Sequence, residues 1–308
     1  MAATAFITHP DCWLHNMGAG HPESPDRLSA IRDRMIASGL DQYVTSLEAP
    51  QASIEQLQRA HSPDYIREVL EWAPERGIVH LDPDTAMCPH TLKAALRAAG
   101  AGIMATDLVM RGEADSAFCA VRPPGHHAEH ARAMGFCFFN NVAVAARHAL
   151  EVHGLERVAI VDFDVHHGNG TEDIFSDDER VLMVGFFQHP FYPYSGTRNP
   201  SPNMHNTPFP AATRGDTVRE LVERSWLPAL AEHQPQMLFI SAGFDAHYED
   251  DMASMGLLDA DYAWISEQLR RFADAHCQGR IVSMLEGGYA LSALGRSAVL
   301  HVKALAGL

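Results

Sequence analysis

At 308 residues and 46% hydrophobic composition, the chain can bury a large core, and it reads as one α/β domain over residues 1–308. A formal net charge of −16, diffuse rather than clustered, argues against non-specific nucleic-acid binding and against docking on an anionic membrane. The five cysteines (Cys12, Cys88, Cys119, Cys137, Cys277) show no Cys-x-x-Cys spacing, which excludes the usual cysteine zinc motifs. Together with the lack of a signal-like leader and of an apolar run approaching roughly 18 residues, they point to a reducing, cytoplasmic setting.

In chain order, residues 3–8 read as a strand and 24–38 as a helix opened by Ser24 ahead of Pro25. Residues 90–110 are Ala/Leu-rich and helical, 116–121 form a strand, and 140–153 a helix. The β-branched apolar run 157–161 reads as a buried parallel strand, followed by another at 181–186. Residues 217–232 are helical with a bend near Pro228. Then come a buried strand at 237–242, a helix at 260–276, a last strand at 281–285 and a last helix at 291–305. This alternation implies a largely parallel sheet covered on both faces. Residues 188–210 crowd Pro, Gly and Asn around Phe191, Tyr192 and Tyr194, and read as a loop that walls a binding site.

The most informative stretch is Asp162-Phe-Asp-Val-His-His-Gly-Asn-Gly170. If the strand before it runs on, alternation puts Asp162, Asp164 and His166 on one side. A buried strand does not normally end in such groups, because each uncompensated charge costs several kcal/mol. Arg122-Pro-Pro-Gly-His-His127, Gly243-Phe-Asp-Ala-His247 and Glu286-Gly-Gly-Tyr289 also follow strands, so they share the carboxyl edge of the sheet, where α/β folds bind ligands. One of Asp162 and Asp164, with His166 and Asp245, makes a two-carboxylate, one-imidazole set with an open position. Such a set suits zinc, which polarises a carbonyl and activates water. His126 and His127 suit proton transfer, the remaining aspartate can hold one of them, and Tyr289 beside Gly287 and Gly288 suits an oxyanion donor. The assembly describes hydrolysis of an amide or ester; these residues alone leave open which aspartate binds metal and which acyl group is cleaved.

His61, His148, His153, His233 and His276 fall on or near helices without acidic partners at ligand spacing, and read as structural or exposed. His247 is close enough to Asp245 to touch the rim of the site, and Met252 to Met255 reads as a loop contact or core filler.

These motifs, with Gly135-Phe-Cys-Phe-Phe-Asn-Asn141 and His21-Pro-Glu-Ser-Pro-Asp-Arg27, resemble the histone deacetylase family. The resemblance runs from about His9 to Tyr289 and is to the class II and bacterial branch, which includes acetylpolyamine amidohydrolases. It implies the arginase/deacetylase fold, a central eight-stranded parallel sheet flanked by helices on both faces. It implies one zinc per chain on Asp164, His166 and Asp245, with His127 as proton shuttle and His126, held by Asp162, as electrostatic partner. Asn169 stands as the partner of His127, where an amide raises the imidazole pKa less than a carboxylate would. Tyr289 would polarise the scissile carbonyl. Gly135, Phe136 and Tyr192 would line the acyl-lysine tunnel with Met252, Gly287 and Gly288, and Arg27 the acetate exit.

The resemblance further implies a potassium ion held by Asp162, Asp164 and backbone oxygens near His166 and Phe186, although Gly185 stands where a serine hydroxyl usually completes the shell. A second potassium is implied at backbone oxygens near Phe175, Asp178 and Val181. The expected partner is an acylated lysine or amine, with no nucleic acid and no membrane; a homo-oligomer is left open. The expected reaction is zinc-dependent hydrolysis of an N-acetyl amide, releasing acetate. Polyamine-selective members carry an acidic gatekeeper where this chain has Met252, so acyl-lysine-type amides are the expected substrates. The alternatives are an acetylpolyamine or small-metabolite amidohydrolase, a two-manganese ureohydrolase on the same fold, and an inactive acyl-binding module.

Overall fold

The computed structural model describes residues 4–198 and 200–308; Ala3, the start of the first expected strand, lies outside them. The strands are β1 (Thr4–Thr8), β2 (Val44–Glu48), β3 (Val79–His80), β4 (Ala86–Met87), β5 (Ser116–Cys119), β6 (Val158–Asp162), β7 (Val181–Gln188), β8 (Met204–Phe209), β9 (Leu238–Ala242) and β10 (Ile281–Leu285). The helices are α1 (Asp11–Leu14), α2 (Asp26–Ser38), α3 (Ile54–Leu57), α4 (Pro63–Trp72), α5 (Thr91–Met110), α6 (Asn141–Glu151), α7 (Asn169–Phe175), α8 (Gly215–Leu221), α9 (Leu227–His233), α10 (Asp259–His276) and α11 (Leu291–Leu305).

Eight strands form one parallel sheet in the order β2-β1-β5-β10-β9-β6-β7-β8. Its centre is apolar on both faces: every residue of β6, β9 and β10 is buried, as a parallel sheet between helical layers requires. Among the described residues, no helix is long and apolar enough to cross a membrane.

All six expected strands form, and two more complete the sheet. β2 (Val-Thr-Ser-Leu-Glu) is an edge strand with mostly exposed side chains and so lacks an apolar run. β8 falls inside the segment read as loop 188–210 and contains Pro208, which an edge strand tolerates because one side of its backbone needs no partner. Helix α2 begins at Asp26 with Pro25 at its cap and no side-chain cap bond, which corrects the role given to Ser24. The bend expected near Pro228 takes the form of a π-type turn at Val222–Trp226, just before the proline, which has no N–H to donate to the preceding turn.

Candidate active site

The four motif-bearing strands, β5, β10, β9 and β6, are neighbours at the centre of the sheet, so their carboxyl ends converge. The regular strand stops at Asp162, however, so strand alternation is not what gathers the β6 residues. Each acid instead captures a later backbone: Asp162 Oδ1 accepts the N–H of Asp164 at 3.0 Å, and Asp164 Oδ1 accepts that of His166 at 2.9 Å. These Asx-type turns curl the chain so that both side chains face inward. His166 Nδ1 then lies 3.0 Å from Asp164 Oδ1 and 3.1 Å from Asp245 Oδ2.

Ligand atoms of Asp164, His166 and Asp245 all lie within 4.8 Å of one another, and all three residues are buried. The backbone completes the carboxylate positions: Val165 N–H donates to Asp245 Oδ1 at 2.9 Å and Gly287 N–H to Asp164 Oδ2 at 2.8 Å. Gly287 has to be glycine, because a Cβ there would stand 2.1 Å from Asp245 Oδ2 and 2.6 Å from Asp164 Oδ2. Two buried carboxylates, one imidazole and a cradle that no side chain fills fit a divalent metal with open positions. Asp162 stands apart from the trio, with its Oδ2 3.0 Å from His126 Nδ1.

The tandem histidines lie side by side, ring centroids 4.0 Å apart, in different electrostatic settings. Burial opposes charge on His126, but Asp164 and Asp162 outweigh it and hold its pKa well above the ordinary imidazole value; a cation at Asp164 would offset part of this. Burial, then the neighbouring His126 and His166, hold the pKa of His127 well below that value. His127 Nδ1 lies 2.7 Å from Asn169 Oδ1, and Asn169 Nδ2 donates to Glu129 Oε1 at 2.8 Å. Burial pushes the Tyr289 phenol well above its usual pKa, so it keeps its proton.

These groups face a cavity of about 270 Å³ lined by Asp84, His127, Gly135, Phe136, His166, Phe191, Tyr192, Met252 and Tyr289. Gly135 turns with a φ of 57° and packs on His127, where a Cβ would lie 2.4 Å from Cδ2. Opposite, Phe191 stacks on His166 at 5.5 Å and Tyr192 meets His127 edge-on at 5.4 Å. The two largest of several larger surface hollows, of about 500 and 550 Å³, lie beside α5 and beside β7, away from these groups. Gly287 and Gly288, expected to line the tunnel, are not among the residues that line this cavity. Arg27 is buried against Tyr289, its Nε donating to Gly288 O at 2.7 Å and its other nitrogens to Glu23 and Glu286 O.

Several site residues had no role in the sequence reading. Asp84, from the β3–β4 turn, lines the cavity, and Glu129 sits behind Asn169. Glu286 Oε2 accepts the N–H of Gly125 at 2.7 Å and of His126 at 3.1 Å, fixing the tandem's loop. Asp250 Oδ2 accepts the N–H of Tyr289. Each of these contacts spans many residues, and only the acid type was visible in the sequence.

Two expectations need correction, and the place of His247, which the sequence left open, is fixed. His148 and His153 do have an acidic partner: their Nε2 atoms lie 2.8 and 2.7 Å from Asp107 Oδ1 on α5. Arg59 donates to His148 Nδ1 at 2.9 Å, so the Nε2 of His148 carries a hydrogen and this trio is a hydrogen-bonded cluster. His247 is buried and absent from the cavity wall. At the second expected potassium site, Asn203 Nδ2 donates to the carbonyls of Phe175, Asp178 and Val181 at 2.9, 3.1 and 3.0 Å, so those residues do not fit an ion.

A model of the histone deacetylase domain matches residues 21–305. A histone deacetylase-like amidohydrolase of Pseudomonas aeruginosa is 37% identical over 88% of this chain and 73% of its own. The human polyamine deacetylase HDAC10 is 33% identical over 99% of this chain and 48% of its own. The crystal structure of the HDA15 HD domain superposes with a TM-score of 0.93 at 31% identity, covering 99% of this chain and 88% of that one. The protein therefore belongs to the histone deacetylase family. It has the arginase/deacetylase fold and is a hydrolase of the deacetylase and amidohydrolase type.

Proposed function

We propose that residues 1–308 act as one zinc-dependent deacetylase domain that cleaves acetyl-lysine or a similar N-acyl amine. The carrying observation is the arrangement around the cavity: His127 in its wall, the Asp164, His166 and Asp245 set beside it, and Tyr289 among its lining residues. Zinc on that set would act as a Lewis acid and acidify a water molecule. His127, neutral and with Nδ1 bonded to Asn169, takes the proton of the attacking water at Nε2 and returns it to the leaving amine. His126, bonded to Asp162, stabilises developing negative charge, and the Tyr289 hydroxyl donates to the carbonyl oxygen. Gly135 and Phe136 face Tyr192 as walls for an extended acyl-lysine stem. Arg27 lines the way out for acetate. Asp162, Asp164 and backbone oxygens near His166 and Phe186 would hold a potassium ion if one binds, with water in place of the serine hydroxyl that Gly185 does not supply. All five cysteines are free and buried, which supports a reducing, cytoplasmic setting.

Met252 supports the lysine-type reading, because it lines the cavity while Asp250 turns inward to the backbone of Tyr289, Ala290 and Met252. An apolar gatekeeper withholds an attraction worth roughly 1–4 kcal/mol to a distant ammonium. Asp84 favours a second reading, hydrolysis of acetylpolyamines, since it puts an acidic residue among those that line the cavity. The test is kcat/KM for an acetyl-lysine peptide against acetylspermidine. A polyamine preference of about tenfold, or about 1.4 kcal/mol, would overturn the lysine reading.

A further inference from the structure

We propose that Glu129 is a positioning residue that selects the proton-accepting tautomer of His127 through Asn169, an inference that rests on His127 being the general base. Asn169 is buried between the two, its Oδ1 2.7 Å from His127 Nδ1 and its Nδ2 2.8 Å from Glu129 Oε1. An amide can be turned end for end with little change of shape, so its neighbours decide which end faces which. A carboxylate only accepts, so Glu129 draws the NH2 of Asn169 towards itself and leaves the carbonyl facing the histidine. That carbonyl also only accepts, so His127 Nδ1 must carry the hydrogen and Nε2 is left bare.

The reverse orientation has the opposite consequence. Asn169 Oδ1 would oppose the Glu129 carboxylate, its NH2 would donate to Nδ1, and the ring hydrogen would move to Nε2, which could then accept no proton. The other contacts of the NH2, to Met134 Sδ at 3.3 Å and, at a long 3.4 Å, to His127 O, are to uncharged acceptors, so they select more weakly than the carboxylate. Glu129 is itself held in place: His61 Nδ1 donates to its carbonyl at 3.0 Å, and its N–H donates to Arg132 O at 2.9 Å. The chain thus reaches, with a neutral amide and a half-buried glutamate, the tautomer that a carboxylate at position 169 would impose alone.

The test is a double-mutant cycle on the zinc-loaded enzyme, with nitrogen NMR of the His127 ring as a readout independent of turnover. Glu129→Ala should lower kcat about tenfold, in the range for loss of an outer-shell partner, and mix the Nδ1–H and Nε2–H tautomers. Glu129→Gln can present either its carbonyl or its NH2 to Asn169, so it should mix the tautomers partly and lose less of kcat than Glu129→Ala. Asn169→Asp alone sets two carboxylates against each other and should also lower kcat about tenfold. Glu129→Ala with Asn169→Asp should recover to within about threefold of wild type, because the aspartate no longer needs orienting. Losses that simply multiply in the double variant, or an unchanged tautomer in Glu129→Ala, would overturn the proposal. If His127→Ala kept normal kcat, the general-base reading would fail instead, whatever the tautomer.

Discussion

Asp250 bonds the N–H of Tyr289 at 2.6 Å through Oδ2 and the N–H of Met252 at 3.0 Å through Oδ1. One buried carboxylate thus ties the proposed oxyanion donor to the residue at the gatekeeper position. Its Oδ2 also takes the N–H of Ala290 at 3.0 Å, so three backbone donors depend on it. Asp250→Ala leaves those donors unmet and frees the Glu286–Tyr289 loop. We expect kcat to fall roughly 10- to 100-fold, with metal retained, because misplacing a catalytic group by about 1 Å costs that much. Asp250→Asn keeps one acceptor oxygen and should lose less. A kcat for Asp250→Ala within about twofold of wild type would show that Tyr289 does not depend on this anchor.

The trio of Asp164, His166 and Asp245 predicts how the metal is lost. Removing either acid leaves one carboxylate and one imidazole, too few to retain a divalent ion in competition with water. Asp164→Ala and Asp245→Ala should drop from about one metal per chain to near none by elemental analysis, and lose turnover with it. Tyr289→Phe, by contrast, should keep the metal and lose about 10²-fold in kcat, as when one oxyanion donor is removed. Full metal content in either aspartate variant would exclude that residue as a ligand.

The centre of the fold was the legible part. The run 157–161 announces a buried strand through composition alone, and the motifs after β5, β6, β9 and β10 announce a shared edge. β2 and β8 escaped because edge strands need no unbroken apolar run, and β8 even carries Pro208. The gathering of Asp164 and His166 was expected from strand alternation and arises from Asx turns, which the same short polar residues also encode. Pairings such as Glu129 with Asn169 or Asp107 with His148 and His153 join residues about 40 or more positions apart, and no local pattern reports them.

His61 gives the stability an acid limb. It is buried, donating from Nδ1 to Glu129 O and accepting the N–H of Asn140 at Nε2, so the fold needs it neutral. Burial lowers its pKa from 6.5 to about 4. Below pH 6.5 the unfolded chain therefore binds a proton that the folded chain refuses. Stability should fall as pH drops from about 6.5 to about 4, by on the order of 3 kcal/mol for this group, and then level off. His61→Gln can still donate and accept but does not titrate. Urea unfolding between those pH values should show a shallower slope for this variant than for wild type; equal slopes would remove His61 from the acid response.

Asn203 predicts a cation site that stays closed. Its Nδ2 stands at the meeting point of the Phe175, Asp178 and Val181 carbonyls, where an ion coordinated by all three would have to sit. The neighbourhood already holds fixed positive charge: Arg147 and Arg180 both pair with Asp178, and the bond from Arg180 helps lower that carboxyl to about 2. A neutral NH2 group satisfies the converging oxygens without adding a third cation beside two guanidinium groups. Crystals of the wild-type protein soaked in rubidium chloride should therefore show no anomalous peak at these three oxygens. Asn203→Asp replaces the donor with an acceptor and should create one. A rubidium peak there in the wild type would mean that the amide moves aside for the ion. Its absence from both proteins would mean that the arginines, rather than Asn203, keep cations out.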